Sequence, residues 1–567
     1  MKLKASTGKK LRYGGMSALL TALIIAIVII VNVIFSALAQ KFLWYADLTP
    51  ELLYSMSDEA IDIIENGDEE FGTLSPIEMV DKIREEKAAE DPTFDTSSLM
   101  INIIFCDDPD ALDANSAQKY VHYTALELEE KFPDYINVEY YNIIRNPSSV
   151  SRFKTNSLSR IYTTSVIIEF GTEYRIREVR TFFTFNETTD EEPWAYNGEK
   201  AFTSSILAVT RAESPIACVT INHSESFTDY EYANTLIDAG YIVQELDLEH
   251  QEIPDKCRLI VVFDPKSDFK VIDGISEIDE ISKLDDFLDG TNSMMVFMSP
   301  ETQRLENFEE YLEEWGISFD RYTDEGGQEI SHLVKDSSQS LTTDGYTFKA
   351  EYVTTGMGGT LTKDMRSRPV PQSVIFANAM SISYSSVYSP THYKPESTGA
   401  TEADESEEFD YATYYNNGTS RAIYDVFVTS AEAKAYAGSA TTPVKIASDV
   451  NRLKLLTVSV EDRTTQEDNY HTISEASYVV ACGSTEFASS TMLQSNSYGN
   501  TNFLLTALRA IGQEPVPVGL EFKPFADDTI DTITTAESTQ YTVVLATVPA
   551  VIALAAGIVI IVRRKNR

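Results

Sequence analysis

The sequence predicts an α/β chain in which two successive α/β units stand between two transmembrane helices. Three observations predict it: an uncharged apolar run near each end with cations on its outer flank, a β-α-β-(α)-β-β succession over residues 98–195, and a strand–helix alternation beginning at residue 214. About 20 apolar residues cross a hydrocarbon layer of roughly 30 Å. Periods of two and 3.6 in the apolar positions distinguish strands from helices.

No charged side chain occurs from Gly14 to Gln40, which places a first span over residues 16–38 behind a basic tail, 1–15, holding Lys2, Lys4, Lys9, Lys10 and Arg12. A second uncharged run, Ser538 to Val562, gives a span over 541–562, preceded by a linker, 526–540, and followed by a tail, 563–567, with Arg563, Arg564, Lys565 and Arg567. Cations flank the cytoplasmic side of a span, so both tails are expected in the cytoplasm and the body outside it, in a two-span protein of the cell membrane. A cleaved signal peptide is the alternative reading of the first run, since Ala37-Leu38-Ala39 has the small-x-small form. The body is on the same side either way.

The formal net charge is −43, and removing the nine tail cations from 45 Lys and Arg leaves 36 against 88 acids in the body. Such a charge repels phosphate backbones, so no nucleic-acid partner is expected. Four cysteines, Cys106, Cys218, Cys257 and Cys482, stand far apart in sequence, three of them in or beside apolar runs. Buried free thiols are expected.

A juxtamembrane helix is expected within 47–66, where Thr49 and Ser57 supply helix-start chemistry before Ile61, Ile63 and Ile64. Met100 to Phe105 reads as a buried strand, Val121, Ala125, Leu128 and Phe132 as one face of a helix stopped by Pro133, and Ile136, Val138 and Tyr140 as a second strand. Ser165–Phe170 and Tyr174–Val179 form a hairpin about Gly171-Thr172-Glu173. This order is that of a thioredoxin-like domain, assigned to 98–195. From Pro215, strands at Ile216–Ile221, Tyr241–Leu246, Arg258–Phe263 and Met294–Met298 alternate with helices ending at Gly240, Gly290 and Gly316. The pattern is doubly wound, of the class I glutamine amidotransferase-like or flavodoxin-like type, with a first part at 214–330 and a closing part at 451–525. Between them, 331–450 breaks the rhythm and reads as an irregular insertion holding a mobile acidic loop, 395–409.

The motifs that would carry catalysis are incomplete. No G-x-x-x-x-G-K-[ST] occurs, and the Gly356–Gly359 cluster, read as a loop, lacks the lysine. The six histidines are scattered without H-E-x-x-H, so no metal or other cofactor is expected. Ser151-Arg152-Phe153-Lys154 matches S-x-x-K without its companion elements. Cys106 follows the first strand of the thioredoxin-like unit, yet Pro109 stands where the second thiol of a dithiol would be. In the second unit, the turn that would carry a nucleophile reads Asp264-Pro265-Lys266, and no His–acid pair is identifiable beside Cys482-Gly483-Ser484.

Several separated segments resemble the auxiliary component family of gliding-motility-type ABC transport systems. They are Asp47–Glu59 after the first span, Gly198–Leu207 and Asn222–Glu225 at the passage into the second domain, and Val480–Phe487 with Gly499-Asn500 near its close. The resemblance implies a non-catalytic subunit that works with a separate ATPase and a separate multi-span permease. It brings no catalytic residues to assign.

Two further readings stay open. The chain is alternatively a ligand-binding or sensing ectodomain using the cleft at the carboxyl ends of the second sheet, with Asn222, His223 and Asp264 as ligand-binding residues, or those loops are ordinary strand-to-helix turns. An envelope enzyme of unfamiliar chemistry is the third. The topology itself is testable: a reporter fused after Arg567 is expected to be cytoplasmic, and a cysteine placed at Ser397 is expected to label in intact cells. Labelling only after lysis reverses the assignment.

Overall fold

The computed structural model describes residues 53–67, 73–154, 161–186, 189–211, 214–225, 230–272, 278–368, 370–391, 411–416, 419–437, 443–444, 452–466, 472–495, 497–512 and 516–525. Both expected spans, the basic tails, the linker and the acidic loop lie outside these residues. Among the described residues, no helix is long and apolar enough to cross a membrane. The chain divides into Met1–Ser55 and Met56–Arg567, and everything below concerns the second unit.

Helix α1, Asp58–Asn66, starts where the Ser57 hydroxyl accepts the Ala60 amide, and α2, Pro76–Glu90, starts at a capping box between Ser75 and Glu78 with Pro76 in its first turn. Each satisfies amides that the helix leaves unbonded. The first sheet comprises β1, Ile101–Phe105, β2, Ile136–Tyr140, β3, Ser165–Phe170, and β4, Glu173–Glu178, in the order β2-β1-β3-β4. β1 and β2 are parallel, joined through α3, Ser116–Lys131, while β3 is antiparallel to both of its neighbours. The face of α3 read from the sequence is the buried one, with Val121, Ala125 and Leu128 fully enclosed. Gly171 turns the β3–β4 hairpin at φ +61, a conformation that costs glycine little.

A small sheet of β5, Phe183–Asn186, and β6, Thr189–Tyr196, leads into α4, Gly198–Thr210. The late strand Lys523–Pro524 pairs back onto β6.

The large sheet begins with β7, Ile216–Thr220, and continues with α5, Tyr230–Asp238, β8, Ile242–Leu246, β9, Cys257–Phe263, α6, Glu280–Asp289, β10, Ser293–Phe297, and α7, Glu306–Glu314. β8-β7-β9-β10 are parallel in that order. β9 from Leu259 and β10 from Met294 read as apolar runs because the sheet is covered on both faces, and Leu259–Val262 and Met294–Val296 are solvent-free.

The same sheet runs on through strands not all expected to belong to it. With β11 as Thr419–Val428, β12 as Lys454–Gln466 and β13 as Thr472–Cys482, β13 lies parallel to β10, and β12 and β11 follow antiparallel. The stretch 331–450, read as an irregular insertion, therefore contributes strands to the large sheet, β11 among them. Its period is hidden in the sequence because several of its strands have two or three residues, too few for an alternation. β11 is also interrupted by Asp425, whose buried carboxylate pairs with Lys454 on β12. The cluster Gly356–Gly359 opens a short helix, Gly356–Leu361, and is no loop. A Cβ at Gly358 would stand 2.0 Å from the Asp425 carbonyl oxygen and one at Gly359 2.4 Å from that of Thr354, so close backbone packing accounts for both glycines. The last helix, α8, Asn500–Gly512, buries Phe503, Leu504, Ala507 and Leu508 against the large sheet.

Between the two sheets lies α4, and all of its residues are buried, Glu199 and Lys200 included. Its two charged side chains and two of its serines meet partners from elsewhere in the chain. Glu199 accepts the Ser57 amide at 2.7 Å and pairs with Lys523 at 2.9 Å, and the Lys200 ammonium stands 3.5 Å from Asp238 of α5. Arg177 of β4 donates to Ser204 and Ser205 at 2.7 and 3.0 Å and to Asp238 at 2.9 Å. One buried carboxylate thus serves two buried cations. Replacing it strands both, which costs about 3–5 kcal/mol at such sites. Asp238→Ala is expected to lose stability of this order in urea unfolding monitored by tryptophan fluorescence, and a loss below about 1 kcal/mol would show that water reaches the network.

Candidate functional site

The loops at the carboxyl ends of the parallel strands bring together the three residues singled out from sequence. β7 ends at Thr220 and the chain then passes through Asn222, at φ +80, His223, and Ser224, at φ +57; β9 ends at Phe263 and turns at Asp264, at φ +54. Three of the non-glycine residues described with positive φ therefore cluster on two neighbouring loops. Asn and Asp tolerate this region better than other residues, and Ser is the costlier placement.

His223 is the centre of the arrangement and is only 3% exposed. Its Nδ1 lies 3.0 Å from Glu225 Oε1 and its Nε2 3.1 Å from Glu280 Oε2, at the first turn of α6. The ring stacks on Phe269 at a centroid distance of 3.9 Å, and Phe269 stacks on Phe308 of α7. The His223 carbonyl accepts the Lys266 and Ser267 amides at 2.7 and 3.0 Å, tying the β7 loop to the β9 loop. Burial pulls the imidazole pKa down, but hydrogen bonds and charge from Glu225 and Glu280 outweigh it and hold the ring protonated, up to about 9. Burial likewise opposes ionisation of both carboxyls, and the imidazolium overcomes it, so both fall below the ordinary range. With both nitrogens donating to carboxylates, His223 has no lone pair for a metal or a substrate proton. It is a cationic cross-link.

Asp264 is 6% exposed and its Oδ1 accepts from Lys266 Nζ at 2.6 Å and from Thr302 Oγ1 at 2.9 Å. These two donors, one from its own turn and one from the loop after β10, fix the side chain in place. Asn222 alone of the three is exposed, and beside it opens a cleft of about 540 Å³ along the edge strand β8, lined by Thr220, Asn222, Ser224, Glu225, Gln244 and Glu245 among others. Of its two acids, Glu225 is paired with His223, and exposed Glu245 suits a donor-rich or cationic ligand. Sequence reasoning placed His223 and Asp264 near one another but missed Glu280 and Phe269, which come from a later strand–helix connection and carry no local signature.

The thiols are closed to chemistry in the described state. Cys106 is buried, and its pKa is pushed up to about 12 by burial first and then by Glu178 and Asp107. Cys482 is fully enclosed, and Ser484 beyond it is spent on the Ala377 carbonyl. Cys218 and Cys257, far apart in sequence, lie on adjacent strands β7 and β9, and the Cys257 thiol donates to the Leu259 carbonyl at 3.4 Å. His122 joins Asp113 at 2.9 Å and the Tyr140 hydroxyl at 2.7 Å, with burial lowering its pKa. Among the described residues, no group of three or more His, Cys, Asp or Glu is placed to hold a metal ion. No family model matches the chain, and no curated protein matches it either.

The protonated His223 makes stability depend on pH with a definite sign. Its folded pKa, about 9, is above the unfolded value near 6.5, so its contribution is complete below about 6.5 and is lost as pH rises through about 9. The two carboxyls have the opposite sign, contributing above about 4.5 and losing the contribution as pH falls through their lowered values. The stability gap between the wild type and His223→Gln is expected to narrow by on the order of 3 kcal/mol from pH 6 to pH 9.5. Denaturant unfolding at the two values measures it, and a gap independent of pH would mean a neutral ring.

Proposed function

We propose that the chain is a non-catalytic, membrane-anchored extracytoplasmic auxiliary subunit of an ABC-type transport system. It works through protein contacts with a separate multi-span permease and a separate ATPase. The observation that carries this reading is the way α4 joins the two α/β units. A binding protein that closes on its ligand needs two units free to move, whereas here a helix buried along its whole length is fixed to α5 by the Lys200–Asp238 ion pair and to β4 by hydrogen bonds from Arg177, which itself pairs with Asp238. Such a body suits a rigid contact surface.

Two pairs of the segments that carry the family resemblance also meet in space. Ser57, after the first expected span, bonds Glu199 of the Gly198–Leu207 segment, and Asn500 Nδ2 donates to the Phe487 carbonyl at 3.1 Å. The order β2-β1-β3-β4, with β1 and β2 parallel, supports the thioredoxin-like assignment of 98–195, and the β8-β7-β9-β10 run with intervening helices supports a doubly wound, glutamine amidotransferase-like or flavodoxin-like second unit. The clamped state of His223 and Asp264 favours loop fixation over catalysis at those residues.

The acidic cleft beside Asn222 favours a second reading, a ligand-sensing ectodomain. One experiment separates them. The full chain, tagged and extracted in mild detergent, is expected to bring down a multi-span permease, and replacing residues 16–38 with a polyleucine span is expected to weaken that capture while preserving insertion. If no permease is captured and a small cationic metabolite raises the melting temperature of the wild type but not of Asn222→Ala, the sensing reading replaces this one.

A further inference from the structure

We infer that the groove between α1, the helical segment Gly356–Ser367 and α8 binds a phosphate-bearing anion. The groove has a volume of about 1080 Å³ and is lined by Lys363, Arg366, Arg368 and Arg509 against two acids, Asp62 and Asp364. In a chain of 88 acids and 45 Lys and Arg, a concave surface with this cationic excess runs against the composition.

The cations differ in how they are held. Arg366 is fixed by its own helix, with Nε donating to Thr362 Oγ1 at 3.1 Å and Nη2 to the Gly359 carbonyl at 2.7 Å. Those bonds leave Nη1 without a protein partner among the described residues and with its position already set. Lys363 lines the same groove, exposed and in no ion pair among the described residues. Arg368 is partly neutralised by Glu521 at the rim. A pre-positioned guanidinium nitrogen and an exposed ammonium lining one groove match the oxygen acceptors of a phosphate group, which takes several charge-assisted bonds from separate donors. A carboxylate offers fewer acceptor positions for the same cations. The body's overall negative field falls off over about 8–10 Å in physiological salt, so the groove keeps its local sign.

Two sources present this chemistry, a lipid headgroup and a soluble phosphate. The groove rests on α1 and on Val516–Gly519, the described parts of its wall nearest in sequence to the expected spans, each some two dozen residues away. A headgroup source depends on the proposed two-span topology; binding of the anion does not.

The test uses the full chain in zwitterionic detergent. Inorganic phosphate, glycerol 3-phosphate, and phosphatidylglycerol or phosphatidylcholine doped into the micelle are titrated against melting temperature. A saturable rise is expected with at least one phosphate probe, weakening as salt increases. Lys363→Glu is expected to bind that probe about tenfold or more weakly, with an unchanged melting temperature in its absence, and Arg366→Lys to weaken it by loss of the pre-positioned guanidinium nitrogen. Response to phosphatidylglycerol alone identifies a lipid headgroup, and response to the soluble probes identifies a free anion. No saturable rise with any probe, or wild-type affinity in both variants, overturns the inference. Because capture of a permease is not read here, its failure leaves the proposed function standing.

Discussion

The burial of α4 is the constraint on which the rest of the structure depends. Placing Glu199 and Lys200 out of water is unfavourable unless each is paired, and an isolated buried charge is costlier than the pair is stabilising. The partners come from three places distant in sequence, the start of α1, α5 and the late strand at Lys523, and Arg177 of β4 shares the α5 carboxylate. None can shift by a side-chain length without stranding a charge. Gly198 contributes sterically, since a Cβ there would stand 1.9 Å from the Tyr196 hydroxyl. The apolar residues of the helix supply the driving force, as Phe202 against Phe182 does, and the charged ones fix the register.

The large sheet carries the same logic outward. Its parallel half ends in loops that turn sharply and are tied together by His223, whereas its antiparallel half uses long strands paired over many residues. Charges that face inward on that half are matched across strands: Arg421 of β11 with Glu461 of β12, and Lys454 of β12 with Asp425 of β11. A one-residue slip in this register would separate both pairs and turn Val426, Val458 and Val460 away from the core. The parallel half is therefore held against a strand arrangement with little freedom of its own, and the loops of the candidate site inherit that fixity.

How much of this was legible in the sequence depended on the range of the signal. The first sheet and the parallel strands were readable because their apolar runs extend over five to seven residues and alternate with helices that end at Gly240, Gly290 or Gly316. The membership of 419–428 in the large sheet was not, because Asp425 breaks the pattern and its partner lies on another strand. His223 and Asp264 were found from their place after strands. Their actual state was hidden, since it is set by Glu280, Phe269 and Thr302, which approach only in three dimensions. The buried pair Cys218 and Cys257 shows the same limit: adjacency in a parallel sheet leaves no trace at a separation of 39 residues.

The disposition of the cations separates fold from function more sharply than any motif does. An acidic chain has carboxylates to spare, so a buried cation readily finds one: Arg177 has Asp238, Arg321 has Glu309 at 2.6 Å, Arg421 has Glu461, and His223 has two. These pairs cancel locally and hold elements together, leaving no net attraction for an outside ligand. Lys363 and Arg366 do not follow that rule, although acids are plentiful in the chain and Asp364 is adjacent in sequence. Arg366 is instead oriented by two neutral oxygens, which position a guanidinium without discharging it. Charge retained where neutralisation was readily available is directed outward, and this property, absent from the clamped residues of the sheet loops, sets the groove apart as a surface built to meet an anion.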